Sequence, residues 1–224
     1  MAHFRGGAYT MATSRHSVRV KPFCLDVTEV TVAAYGRCVA AGTCRPAYDT
    51  VDWPSIDAED RTKYSQFCNR DREDRRDHPV NCVTWDQARA YCGFASGRLP
   101  SEEEWEWAAR GAERGTPYPW GDAPPSDRLC WGGEGNDAGQ GKRRGTCAVG
   151  SYSRGDSPQG VKDLAGNVWE WTSSCENASC QRRVYRGGGW FNDDAEFILA
   201  TSRYRGEPSN RIYGVGFRCA RGAQ

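Results

Sequence analysis

Apolar positions recur at helical spacing in three stretches of this chain and alternate only briefly elsewhere. Val18, Val20 and Pro22-Phe23 form a short, imperfect strand alternation, and the run VAAYGRCVAA predicts a helix that begins near Thr31 and stops at Gly42. Thr84-Trp85-Asp86-Gln87 is a capping box, in which the Thr hydroxyl and the Gln side chain satisfy each other's free backbone N–H groups. A helix is predicted from there to about Ser96, ended by Gly97, with Trp85, Ala88, Tyr91 and Cys92 on one core-facing side. A second capping box, Ser101 to Glu104, starts a helix through Trp105, Ala108 and Ala109 to Gly111, and its three Glu complement the helix dipole. Beyond Gly111 the pattern breaks into Gly/Pro-punctuated pieces around Trp120, Trp131, Trp169-Glu170-Trp171 and Trp190, with strand candidates at Val184–Arg186 and Gly216–Ala220. Pro46 to Asp77 has few aliphatics and the run DREDRRD, and is predicted as a solvated surface excursion held by Cys44 and Cys68. No repeat and no linker divides the 224 residues, so one domain, 1–224, is expected.

Composition sharpens this picture. Twenty-six Gly, 11 Pro and 9 Trp imply a loop-rich fold pinned by aromatic anchors. Eleven Cys without regular C-x-x-C pairs suit disulfides in an oxidising, extracytoplasmic or secreted setting, with Cys24 taken as the odd thiol; buried free thiols in a cytoplasmic product are the alternative. Thirty Lys+Arg against 29 Asp+Glu leave +1, so nucleic acid and acidic membranes are not expected partners. Mean hydropathy is −0.77 and no apolar run is long enough to span a membrane. Ala2 to Arg15 lacks the apolar region of a secretion signal, so any export signal is expected outside these residues.

Several chemistries lack their residues. The three histidines, His3, His16 and His78, are too dispersed for a local metal site. Gly132 to Arg144 mimics a phosphate loop but has Asn136 and Arg143 where a Walker pattern needs Gly and Ser or Thr, and is read as an exposed flexible loop. No G-x-S-x-G is present.

Glu29-Val30-Thr31, His78-Pro79-Val80, Ala90-Tyr91-Cys92, Arg98-Leu99-Pro100-Ser101-Glu102, Glu104-Trp105-Glu106, Ala108-Ala109-Arg110-Gly111 and Pro119-Trp120-Gly121 stand in a distinctive order. They are followed by Asp163-Leu164-Ala165-Gly166-Asn167-Val168-Trp169-Glu170-Trp171, Arg186-Gly187-Gly188 and Gly216-Phe217-Arg218-Cys219. Together they resemble the formylglycine-generating enzyme (sulfatase-modifying factor) family over nearly the whole chain. The resemblance implies an α+β fold, a variant of the C-type-lectin fold with low secondary-structure content, a small antiparallel sheet, two main helices and adjacent termini. The family's enzymes oxidise a substrate cysteine with oxygen and copper, using two cysteines five residues apart between the R-G-G and G-F-R motifs. A Cu(I) site needs such soft thiolates. Gly187 to Arg218 contains no cysteine, and Trp190 to Glu196 occupies the position of the pair. Formylglycine-generating oxidase activity and copper are therefore not expected. The iron-dependent sulfoxide synthases sharing the fold need histidines that are absent here.

By the same resemblance, one Ca²⁺ is expected at Asp163, the carbonyls of Gly166 and Val168, and Glu170, an all-oxygen set that suits a hard ion. The competing reading has Asp163 and Glu170 hydrogen-bonding loop backbone. The family's second calcium site, near Leu129 and Gly141, has lost its side-chain ligands. Cys92–Cys219 matches a family bridge; Cys130–Cys147 would staple the Gly-rich loop and Cys175–Cys180 a short excursion, while Cys24, Cys38, Cys44, Cys68 and Cys82 stay open.

With the chemistry lost, the expected function is that of a non-catalytic, bacterial-type domain binding a protein, peptide or glycan. The candidate surface is Trp190, Phe191, Asn192, Tyr204, Arg205 and Arg211, with Tyr213 and Arg203 nearby, residue types enriched at binding hot spots. Arg218 is assigned instead to bracing loops. Retroelement diversification of this C-terminal region, or excision of the domain from a larger multidomain chain, is compatible with binding. The alternative is an oxidoreductase-type enzyme with a non-cysteine metal site at Asn192, Asp193, Asp194 and Glu196, against which stands the frequency of such polar clusters as solvated turns.

Overall fold

The two ends of the chain meet in one sheet. A computed structural model describes residues 1–223. It begins with four strands, β1 (Ala2–Phe4), β2 (Gly7–Thr10), β3 (Ser17–Val20) and β4 (Phe23–Leu25). Helices α1 (Val32–Ala40), α2 (Ala58–Ser65), α3 (Trp85–Phe94) and α4 (Glu102–Ala109) follow, and then β5 (Trp169–Cys175), β6 (Arg183–Arg186), β7 (Arg203–Gly206), β8 (Val215–Gly216) and β9 (Ala220–Gly222). The order β1-β4-β9 places Leu25 between Ala2 and Ala220. A separate hairpin pairs β2 with β3, and a four-stranded sheet runs β7-β6-β5-β8. The α+β architecture matches the expectation from sequence, but with four helices rather than two, three small sheets rather than one, and β5 and β8 parallel, because β8 returns from a long connection rather than a hairpin.

Both predicted capping boxes form. Thr84 accepts from Gln87 N while Gln87 reaches back to Thr84 N, and Ser101 and Glu104 do the same on α4. Helix α1 is capped by Thr31 and buries Tyr35 and Cys38. Tyr35 and Tyr91 stack between α1 and α3 and Phe217, from the segment before β9, meets both edge-on, forming the larger core with Trp171. The smaller core surrounds α4, whose Trp105 and Trp107 point to opposite sides and are both buried. Such a helix is covered all round, by β5 and β6 on one side and the β2–β3 hairpin on the other. A Cβ on Gly7 would stand 2.6 Å from the Trp107 ring, so only glycine lets the hairpin close over it.

The expected surface excursion from Pro46 to Asp77 is partly structured. It contains α2, capped by Asp57 and without a buried residue, and its Val51, Tyr48, Trp53 and Ile56 build a small core with Cys68 and Cys82. Five disulfides form: Cys38–Cys44, Cys68–Cys82, Cys92–Cys219, Cys130–Cys147 and Cys175–Cys180. Cys24 is the free thiol among the described residues. Closing a loop of the Cys92–Cys219 size removes unfolded-state entropy worth roughly 4 to 5 kcal/mol in the chain-entropy model.

Candidate functional site

Two neighbouring constellations fall on the motif residues, one ionic and buried, the other aromatic and open. The first is built on β5, which lays Glu170 beside Arg218. The carboxylate receives Arg218 Nε and Nη2, each at 2.7 Å, and the Trp105 indole N–H at 2.9 Å. Arg218 also donates to the carbonyls of Asp26, Val27 and Lys162, so it braces loops as expected. Asp163 sits in the left-handed backbone region at φ 54° and its carboxylate accepts from Gly150 N at 2.5 Å. Glu29 completes the group: it is 1% exposed and neither carboxylate oxygen has a hydrogen-bond donor. Burial, reinforced by the neighbouring Asp163 carboxylate, pushes Glu29 well above the usual carboxylate range.

For calcium, the donor chemistry fits with one change of role. Three acids, Glu29, Asp163 and Glu170, face a single guanidinium, and no hydrogen bond ends on the Gly166 or Val168 carbonyls. Glu170, however, is committed to Arg218 and Trp105, and no group of three His, Cys, Asp or Glu side chains converges as a metal site among the described residues. An ion here would depend on Asp163 and the two carbonyls, with the buried Glu29 carboxyl beside them, whose raised pKa disfavours a further negative charge.

The second constellation starts where β6 ends. Gly188, at φ 78°, turns the chain away from the sheet, and a Cβ there would lie 2.6 Å from Ile198 Cδ1. The loop that follows is held from beneath. Trp190 N donates to Asn167 O, Gly132 N donates to Asn192 O, and Asn192 Oδ1 accepts from Gly189 N at 2.8 Å and Trp169 Nε1 at 3.0 Å. Trp190 is 4% exposed and packs on Phe67 and Tyr213. This loop thereby lifts Phe191 into a groove of about 490 Å³ lined by Trp53, Tyr185, Tyr213, Arg205 and Asn210. A second hollow of about 280 Å³ adjoins it, sharing Tyr185 and Phe191 and adding Phe197, Tyr204 and Trp169. Phe191, Phe197 and Tyr204 are three of the five exposed large hydrophobic side chains among the described residues. No cysteine or histidine lines either hollow. Burial, with the nearby Tyr64, pushes the Tyr213 phenol up to about 12, which keeps it a donor at neutral pH.

The expected binding residues therefore divide. Phe191, Tyr204 and Arg205 stand at the openings, Arg205 paired with Glu176. Trp190 and Asn192 are the buried support of the loop rather than its surface. Arg211 pairs with Asp52 at 2.9 Å and lies 4.3 Å over the Tyr48 ring, and Arg203 pairs with Glu102. Asp193, Asp194 and Glu196 are an exposed turn in which Asp194 caps Glu196 N. Trp53 and Asn210 were not singled out from sequence. A large aromatic inside a charged stretch was the available signal for Trp53, whereas the 93%-buried Asn210, whose Oδ1 has no donor, gave none.

The family model described as "Sulfatase-modifying factor enzyme 1-like domain" matches residues 1–223. The chain is 31% identical over 267 residues to "Inactive C-alpha-formylglycine-generating enzyme 2" of Bos taurus, covering 100% of this chain and 88% of that protein. It is 30% identical over 259 residues to "Formylglycine-generating enzyme" of Streptomyces coelicolor, covering 94% and 82%. Among solved structures, that titled "Crystal Structure of CarF" superposes with a TM-score of 0.73 at 19% identity, covering 100% of this chain and 98% of the other, a likeness of fold.

Proposed function

Because the chain belongs to the sulfatase-modifying factor enzyme 1-like family, we propose that it is a member that binds rather than oxidises, taking a protein, peptide or glycan into the paired hollows around Phe191. The observation that carries this reading is the gathering of Phe191, Phe197 and Tyr204 at one opening. Exposed apolar side chains scattered singly need no explanation, but a cluster rimmed by Arg205 and Glu207 is the composition of a recognition site. The absence of cysteine from Gly187 to Arg218 and the similarity to a protein named as inactive support loss of the oxidase chemistry. One calcium ion at Asp163 and the Gly166 and Val168 carbonyls, with Glu170 oriented by Arg218, belongs to the same reading, as does work outside the cytoplasm, which the five disulfides favour.

The test screens immobilised domain against a displayed peptide library and a glycan array, alongside a C-x-P-x-R peptide incubated with the protein and Cu(I). Enriched ligands that are lost on Phe191→Ala and Tyr204→Ala, with no aldehyde by mass spectrometry, are expected. Time-dependent aldehyde above a no-protein control, or ligands indifferent to both substitutions, would overturn the proposal.

A further inference from the structure

Two of the five disulfides, Cys130–Cys147 and Cys175–Cys180, set a guanidinium against a partly open sulfur, and of these Cys130–Cys147 is the one bonded into the groove loop. Cys38–Cys44, Cys68–Cys82 and Cys92–Cys219 have all six cysteines at 7% exposure or less. Cys130 is likewise buried, but Cys147 is partly open, and its sulfur lies 2.9 Å from Arg143 Nη1 and 3.6 Å from the Tyr152 hydroxyl. The guanidinium is fixed: Arg143 is 10% exposed, its Nε donates to Trp131 O at 2.9 Å, and its Nη2 is held by Asp137, which offsets part of its charge. A positive donor against a sulfur favours the thiolate over the disulfide that replaces it.

The same bridge is wired to the loop that carries Phe191. Asn167 N donates to Cys130 O at 2.8 Å, Cys147 N donates to Asn167 Oδ1 at 3.0 Å, and Asn167 O accepts from Trp190 N at 2.8 Å. Two residues beyond Cys130, Gly132 N donates to Asn192 O. One asparagine thus touches both halves of the disulfide and the first residue of the groove loop.

We propose that Cys130–Cys147 is a thiol–disulfide exchange site whose state sets the order of the Trp190–Asn192 loop. A dithiol is the reductant. Its thiolate attacks the accessible Cys147 sulfur, the S–S bond breaks, and Cys130 leaves and takes a proton. The dithiol's second thiolate then attacks its own sulfur in the mixed disulfide and expels Cys147 as a thiolate against Arg143 Nη1. The reductant ends as a disulfide, two electrons have entered the protein and one proton has passed to solvent. With the crosslink open, the Gly132–Thr146 segment and Asn167 lose their common tether, and the loop above them loosens. This site does not require that the groove have a ligand.

The experiment titrates native protein with dithiothreitol, traps thiols with N-ethylmaleimide and maps the peptides. Cys130 and Cys147 are expected to react at about tenfold lower reductant than the three buried bridges, Arg143→Gln to raise their midpoint about tenfold, and Arg143→Lys to restore part of the difference. Cys175–Cys180, where Arg183 Nη1 stands 3.1 Å from Cys175 Sγ, serves as comparison because it has no tie to the loop. Hydrogen exchange at Gly132, Asn167 and Trp190 is expected to rise when Cys130–Cys147 opens in still-folded protein, and to stay unchanged in a Cys175→Ser/Cys180→Ser variant. Opening together with the buried bridges, a midpoint indifferent to Arg143→Gln, or unchanged Trp190 exchange would overturn the inference. Loss of ligand binding with these results intact would count against the groove alone.

Discussion

Glu170 and Arg218 face each other across β5 and the last segment of the chain as a two-pronged ion pair, with side chains 1% and 0% exposed. Such a pair costs much to desolvate and more to break, because the surviving charge is stranded. Arg218→Met is expected to destabilise the fold by about 3 to 5 kcal/mol. Glu170→Leu combined with Arg218→Met should cost less than Arg218→Met alone, which urea unfolding of the two variants would measure.

Adjacent aromatics on the groove loop are expected to behave oppositely. Trp190→Ala removes a buried indole packed on Phe67 and Tyr213 and should cost roughly 3 to 5 kcal/mol of stability. Phe191, at 36% exposure, should cost about 1 kcal/mol when truncated while abolishing binding of ligands selected on the wild type. Melting temperature and affinity on both variants separate support from surface.

Calcium should raise the melting temperature over that in EDTA, since an ion bound only to folded protein at a hundredfold excess over its dissociation constant adds about 2.7 kcal/mol. Asp163→Asn keeps a residue tolerant of φ 54° while removing charge, so it should shrink this difference. Identical wild-type curves in EDTA and millimolar calcium would instead leave Asp163 as the acceptor for Gly150 N alone.

His78 predicts a pH effect. Its Nδ1 lies 2.9 Å from Thr146 Oγ1 and 3.3 Å from Arg75 Nη1; burial, with Arg75 and Arg72 outweighing Asp74, lowers its pKa. The folded state therefore disfavours the protonated ring. This contribution to stability is complete above the unfolded value of about 6.5 and is lost as pH falls from there toward the depressed folded value. Between pH 7 and 5 the melting temperature of wild type should drop more than that of His78→Gln.

Local signals in the sequence carried the helices that have them. Thr84/Gln87 and Ser101/Glu104 are contiguous and reciprocal, and they place α3 and α4 to within two residues. Helix α2 escaped because it buries no side chain and so leaves no apolar stripe. Strand β1 escaped because it exists only by pairing with β4, and β2 because none of its residues is buried. Glu170 and Arg218 stand in the sequence motifs and pair in the structure, and Phe191, singled out by residue type, is exposed there. Trp190 and Asn192 are expected at the surface from sequence because burial is decided by Phe67 and Trp169, which arrive from distant parts of the chain. The groove is harder still to read, since Trp53 and Tyr213 are brought together by the antiparallel bridge between Asp52 and Arg211.

The position of β4 between β1 and β9 also orders events in time. Leu25 has its outer partner, Ala220, nearly two hundred residues away, Asp26 N waits for Cys219 O, and Val30 N waits for Phe217 O. During synthesis at a ribosome, the opening strands and Cys92 emerge long before the residues that complete them. Neither core can close until Phe217, Cys219 and Ala220 have been made. Such a long-range closure slows folding and leaves Phe23, Leu25 and the Cys92 thiol exposed to aggregation and mispairing in the interval.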